Sequence, residues 1–189
     1  MTRRTQAQRR AETQGRLMDA SVRCLAELGY AKTSVKAVCG RAGVSQGALF
    51  NYHPTRLHLI AATTDHICDA LVQGFSRLDT ADPEALVLGV RALARSERHA
   101  AWHDVMVAAR TNPDLRERVR PTLARFEAAL LEAAAGAFGV DTRQPQVAAV
   151  VLSLLHIFDS EAVTVAVLEN PAVEAARVKW AVGLLKSLG

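Results

Sequence analysis

Apolar residues recur at intervals of three and four along nearly the whole chain, as at Leu17, Ala20 or Ser21, Cys24, Leu25 and Leu28. Side chains spaced this way share one face of an α-helix, whereas a half-buried strand needs strict alternation. No β-branched alternation is sustained, and glycine or proline punctuates the gaps. An all-α fold is therefore expected. The first helix should run over about 12–28 and stop at Gly29. Thr33 or Ser34 should cap a second, with Val35, Val38 and Ala42 facing inward and Gly43 ending it. A third, about 45–53, meets Pro54, whose ring removes a backbone donor. Thr55 can cap a fourth, about 56–75. Asp82 and Pro83 open another, followed by helices over about 101–110 and 114–138, the latter with a kink or break at Pro121. The last two, about 146–168 and 172–188, flank Glu169, Asn170 and Pro171 as an antiparallel hairpin.

The 189 residues are 50% hydrophobic and 22% charged, a globular balance. Charge is divided unevenly. Residues 1–60 carry a net +7, against +4 for the whole chain, so the remainder is acidic by −3. A basic head on a mildly acidic body suits a polyanionic partner for the head alone, although a solvated basic face would read the same. The polar, arginine-rich start, residues 1–11, is expected to be a flexible basic arm; with no apolar run behind it, it is neither signal peptide nor anchor. The most apolar stretch, Val147 to Phe158, is followed by Asp159 and Glu161 and is too short for a bilayer. Three cysteines, Cys24, Cys39 and Cys68, lack the pairing of a zinc site or disulfide framework. A soluble, cytoplasmic protein is expected.

Two short helices joined by Ala42-Gly43-Val44-Ser45 have the spacing of a helix-turn-helix, about 34–53. Gly43 supplies the turn, Val44 plugs the space between helices, and Ser45 satisfies free N–H groups at the new helix start. Residues four apart share a face, so Leu49 and His53 point inward while Gly47 with Asn51, and Ala48 with Tyr52, point outward. Glycine at position 47 weakens a helix, which makes sense where the backbone must approach a groove wall.

The stretch Gly29 to Ile60 resembles the DNA-binding head of TetR-type (tetracycline-repressor-like) transcriptional regulators. The likeness rests on Gly29-Tyr30, Thr33-Ser34, the run Ala42-Gly43-Val44-Ser45 with Gly47, Leu49 and Phe50, and Pro54-Thr55-Arg56. The resemblance implies a helix-turn-helix DNA-binding domain over 12–58 and a helical effector-binding and dimerisation domain over 59–189. It implies that Gln46, Gly47, Ala48 and Asn51 face base edges, and that Thr33, Ser34, Lys36, Ser45, Phe50, Tyr52 and Arg56 lie near phosphates. Gln and Asn can pair bidentately with adenine, whereas hydroxyls, cations and helix N-termini hold an unspecific anion. The chain departs from the family pattern at Phe50, where Tyr is usual, at His53, where Phe is usual, and at Leu57, where Glu is common. Either Tyr52 or His53 could make the polar contact; for His53, packing between helices is the plainer role.

One recognition helix touches too few bases for useful specificity, so a homodimer on a palindromic operator is expected. Val147, Val151, Leu154, Leu155 and Phe158, with a second stripe at Val173, Ala176, Trp180, Leu184 and Leu188, are its candidate interface. The family also implies a small-molecule effector. Trp102, Met106 and Arg110 share a face and, with Phe126, Phe138, His156 and Asp159, are candidates to line its pocket, though such a stripe is more often plain core. No cofactor or metal is called for. His99 and His103 have the i, i+4 spacing of metal ligands but lack the intervening Glu of a zinc protease and an obvious third ligand. A metal enzyme and a helical adaptor gripping an acidic partner are the rival readings; the expected role is a repressor released by its ligand.

Overall fold

A computed structural model describes residues 5–187. The described residues form α1 (Gln6–Lys32), α2 (Val35–Ala42), α3 (Gln46–Phe50), α4 (Arg56–Phe75), α5 (Pro83–Ala94), α6 (Glu97–Ala109), α7 (Pro113–Phe138), α8 (Pro145–Val165) and α9 (Pro171–Lys186). No strand occurs among them.

Helix α1 starts earlier than its apolar spacing predicts. Thr5 Oγ1 accepts from the Gln8 N–H at 3.2 Å while Gln8 Oε1 accepts from the Thr5 N–H at 2.8 Å, a reciprocal cap that fixes the first turn. Residues 6–11, expected to be a flexible arm, are therefore helical; Arg3 and Arg4 lie outside the described residues. The stop at Gly29 is present as a break, with φ at +77° and ψ at 166° before one further turn. Ser34, not Thr33, caps α2, its Oγ accepting from the Ala37 N–H at 3.1 Å. Gly43 closes α2 in the left-handed region, φ +64° and ψ 39°, where a side chain would be strained.

The chain divides into two compact units, and the division differs from the one expected at residue 58. The first holds residues 5–68 together with 100–122, the second residues 69–99 with 123–187. Within the first, Leu17, Met18, Ala20, Cys24, Val38, Cys39, Ala42, Leu49 and Leu59 form one core, with Val44 packed against it. All three cysteines are buried, and burial pushes the Cys24 and Cys39 thiols up, which leaves them unreactive. Helix α7 runs on through Pro121, so no break occurs there.

In the second unit Leu86, Val87, Ala94, Leu154, Phe158, Val178, Ala181 and Leu185 join α5, α8 and α9 in a core. Helix α8 is long and apolar enough to cross a membrane by length and composition alone. Its charges argue otherwise. Glu161, almost fully buried, accepts from Arg91, Arg95 and Arg177, and Arg91 and Arg95 also reach Glu174 at 2.5 and 2.9 Å. A charged cluster of this kind belongs to a helix packed against protein.

Candidate nucleic-acid interface

Ser45 opens α3, its Oγ accepting from the Ala48 N–H at 3.1 Å, and five residues later the helix ends. So short a helix has no stability of its own and takes its orientation from what it packs on. Leu49 and His53 supply that anchor; both are buried, as their spacing predicts. Their burial turns Gln46, Gly47 and Asn51 to solvent and leaves Ala48 half exposed. The side-chain amides of Gln46 and Asn51 hold no hydrogen bond among the described residues. Phe50, at 44% exposure, presents a bare ring on the same element.

Ser34, Lys36 and Ser45 are exposed around this surface. Each serine oxygen accepts a backbone N–H, so its own proton remains free to donate outward. Tyr52 is half-buried. Its hydroxyl donates to the Arg10 carbonyl at 3.5 Å, and the Arg10 guanidinium lies 5.5 Å from its ring centre. Gln6, Arg9, Arg10 and Thr13 of α1 thus share a concave surface with Ala48, Asn51 and Tyr52. Sequence spacing did not bring these α1 residues to the site. The signal was the Thr5-x-x-Gln8 pair, which extends the helix back far enough to carry them there.

Two residues expected at phosphates are occupied within the protein. Thr33 is 1% exposed and its hydroxyl donates to the Gly29 carbonyl at 2.8 Å, sealing the end of α1. Arg56 is half-buried, donates to the Thr33 carbonyl at 2.7 Å and to the Tyr30 carbonyl, and stacks 4.3 Å from the Tyr30 ring centre. Backbone carbonyls and an aromatic face consume this guanidinium, so it clasps the start of α4 to the end of α1. Tyr30 is also held from α6, where Asp104 accepts from its N–H, and from the turn after it, where Asn112 donates to its hydroxyl at 3.3 Å.

His53, the alternative to Tyr52, is withdrawn from the surface. It is 3% exposed, with Nδ1 3.2 Å from His58 Nδ1 and no partner for Nε2 among the described residues. Burial, then the neighbouring His58, holds its pKa below the usual histidine value. It packs between helices as a neutral ring.

Residues 17–63 match the family model described as bacterial regulatory proteins, tetR family. An HTH-type transcriptional regulator of Mycobacterium tuberculosis, Rv2912c, is 33% identical over 190 residues, covering 96% of this chain and 97% of its own. The chain belongs to the tetR family. A solved transcriptional regulator from Rhodococcus sp. Rha1 is 25% identical with a TM-score of 0.67, covering 92% of this chain and 94% of its own. The multidrug binding protein EbrR, solved in complex with ethidium, shares the fold at 18% identity and a TM-score of 0.65 over 93% and 98% of the two chains.

As a tetR-family member the chain is a DNA-binding transcriptional regulator of helix-turn-helix type. A cavity of about 90 Å³ in the second unit is bounded by Phe75, Leu86, Leu130, Phe138, Leu154 and Phe158 among others. Of the expected pocket residues, Phe138 lines it, and Phe126 lines an adjoining hollow of about 260 Å³ that shares Phe75, Leu130 and Ala133 with it. Trp102 is buried in the first unit, where Met106 is half-buried and Arg110 exposed. In the second, Phe126 is buried against Phe75, His156 is exposed, and Asp159 lies 2.8 Å from His99 Nε2. A stripe on α6 cannot report which element covers it.

The expected interface residues divide by burial. Val151, Leu154, Leu155 and Phe158 are buried and line the cavity, and Leu154 and Phe158 also join the core shared with α5 and α9. Val147 and Leu184 are half-buried, Ala176, Val173 and Trp180 are exposed, and Leu188 lies outside the described residues. Exposed apolar side chains missed in the sequence are Val163, Val167 and Leu168 at the end of α8 and just beyond. Among the described residues no three His, Cys, Asp or Glu side chains gather as metal ligands.

Proposed function

We propose that this regulator is a homodimeric repressor that lays α3 in the major groove of a palindromic operator and is released by a small molecule. The observation carrying the reading is the orientation of α3: two buried anchors turn two unpartnered amides and a bare glycine outward together. Gln46 and Asn51 then read base edges, Gly47 and Ala48 let the backbone approach, and the Phe50 ring meets sugar or a thymine methyl. Ser34, Lys36, Ser45 and Tyr52 hold phosphates, joined by Arg9 and Arg10 from α1. Thr33 and Arg56 position this surface instead of touching DNA.

Doubling supplies the missing specificity, with a second head about 34 Å away, one turn of DNA. The exposed Val163, Val167, Leu168, Val173 and Trp180 are the surface proposed to meet a second copy. The apolar cavity is the proposed effector site, where a ligand shifts the population away from the state that grips both half-sites. The cytoplasm is the compartment such a protein works in.

Selection of bound genomic fragments with purified protein tests the proposal. A shared palindrome, bound in the presence of excess random duplex, is the expected result. Enrichment of no common sequence would overturn it.

A further inference from the structure

The wall of the cavity in the second unit restricts which ligands can occupy it, an inference that rests on the effector role proposed for that site. Its lining among the described residues contains no Asp, Glu, Lys, Arg or His, and its polar side chain is the Thr80 hydroxyl. Phe75, Phe138 and Phe158 contribute aromatic rings and the remainder is aliphatic. An ion entering such a space sheds its hydration and finds no counter-charge, and a strong hydrogen-bonding group fares little better.

Phe158 of α8 lines the cavity, but the carboxylates that follow it, Asp159 and Glu161, are not among the lining residues, and Glu161 is surrounded by three arginines. At about 90 Å³ the space falls well below the range of drug-sized pockets. A wall of Leu and Phe gains apolar contact from a single apolar ring and offers nothing to an ion.

We propose that this cavity binds one compact, uncharged hydrocarbon ring, of the size of benzene or toluene, and rejects ions built on the same ring. The cavity wall gives upon entry by small side-chain shifts, and the aromatic side chains pack on the ligand ring edge-to-face.

The full-length protein is melted with toluene, benzoate or ethidium, alongside Ala134→Leu and Ala137→Leu, each of which fills part of the cavity. Toluene raises the melting temperature saturably in the unsubstituted protein, and benzoate and ethidium bind at least about tenfold more weakly. Both filling variants melt cooperatively and lose the toluene shift. If one fails to fold, the other decides. Absence of a saturable toluene shift, or an equal shift with benzoate, overturns the proposal, as does a toluene shift retained in a folded filling variant. Operator binding is followed separately by fluorescence anisotropy. Toluene binding without operator release supports the ligand class and removes the effector role, so the two readings fail independently.

Discussion

A Cβ added at Gly47 would meet only the Ser45 hydroxyl at 4.0 Å, so alanine fits this position and suits a helix better. Gly47→Ala should therefore stabilise the protein by up to ~1 kcal/mol in chemical denaturation while weakening operator binding. Unchanged operator affinity would show that the groove wall does not come close at this residue. Asn51→Ala should cost ~1–3 kcal/mol on the cognate site and leave random duplex unaffected; equal losses on both would remove Asn51 from the base readers. His53 offers a test by pH. Its pKa is held down in the folded protein, so the unfolded chain takes up the proton more readily, and its contribution is whole above about pH 6.5 and declines below. His53→Phe should flatten the fall in melting temperature between about pH 7 and pH 5.5; an identical slope in both proteins would clear this residue. The inward and outward sides of α3 were legible from spacing alone, because residues four apart must share a face. The duties of Thr33 and Arg56 were not, since their acceptors are backbone carbonyls of Gly29, Tyr30 and Thr33, whose directions no spacing reports.

Helices meet through a few polar joints whose removal can be measured. Arg56→Ala frees two carbonyls and unstacks Tyr30, and should destabilise the first unit by about 1–3 kcal/mol. Its operator affinity should fall without a change in salt slope, in contrast to Lys36→Ala, which should reduce that slope by about one. A reduced slope for Arg56→Ala would return it to the phosphate contacts. In the second unit, burial raises the Glu161 carboxyl but hydrogen bonds from Arg91, Arg177 and Arg95 pull it lower, so its net pKa lies below the ordinary glutamate value. The stability it contributes is present above that ordinary value and is lost as pH falls through the lowered one. Glu161→Ala should cost about 1–3 kcal/mol, read as a drop in melting temperature at neutral pH, because Arg177 loses its carboxylate and Arg91 and Arg95 keep only Glu174. Helix order, most boundaries and the caps at Ser45, Thr55 and Asp82 could be read from the sequence. The beginning of α1 could not, because eleven polar or small residues separate its cap from the first apolar repeat at Leu17.

Across the molecule, surplus positive charge sits in residues 1–60, which hold the helix-turn-helix, and surplus negative charge in the rest. The Trp180 ring, 51% exposed, and Val167, 87% exposed, are apolar surface on the more acidic part of the chain. Trp180→Glu should shift the solution mass at micromolar concentration toward one chain and reduce operator affinity, with the melting of the isolated chain little altered. A doubled mass that survives this change would place the contact elsewhere. Periodicity reported how much apolar face the last helices carry, but not how much of it the chain's own interior takes up. That share depends on where α5 lies, a long-range fact.

Helix α3 has one further consequence. The positions that seat it, Leu49 and His53, are distinct from those it displays, Gln46, Gly47 and Asn51, and the displayed positions carry no architectural duty. On the proposed reading, exchanging them would rewrite the address this regulator answers to without disturbing the frame beneath. Descendants of such a gene can drift to new promoters one letter at a time.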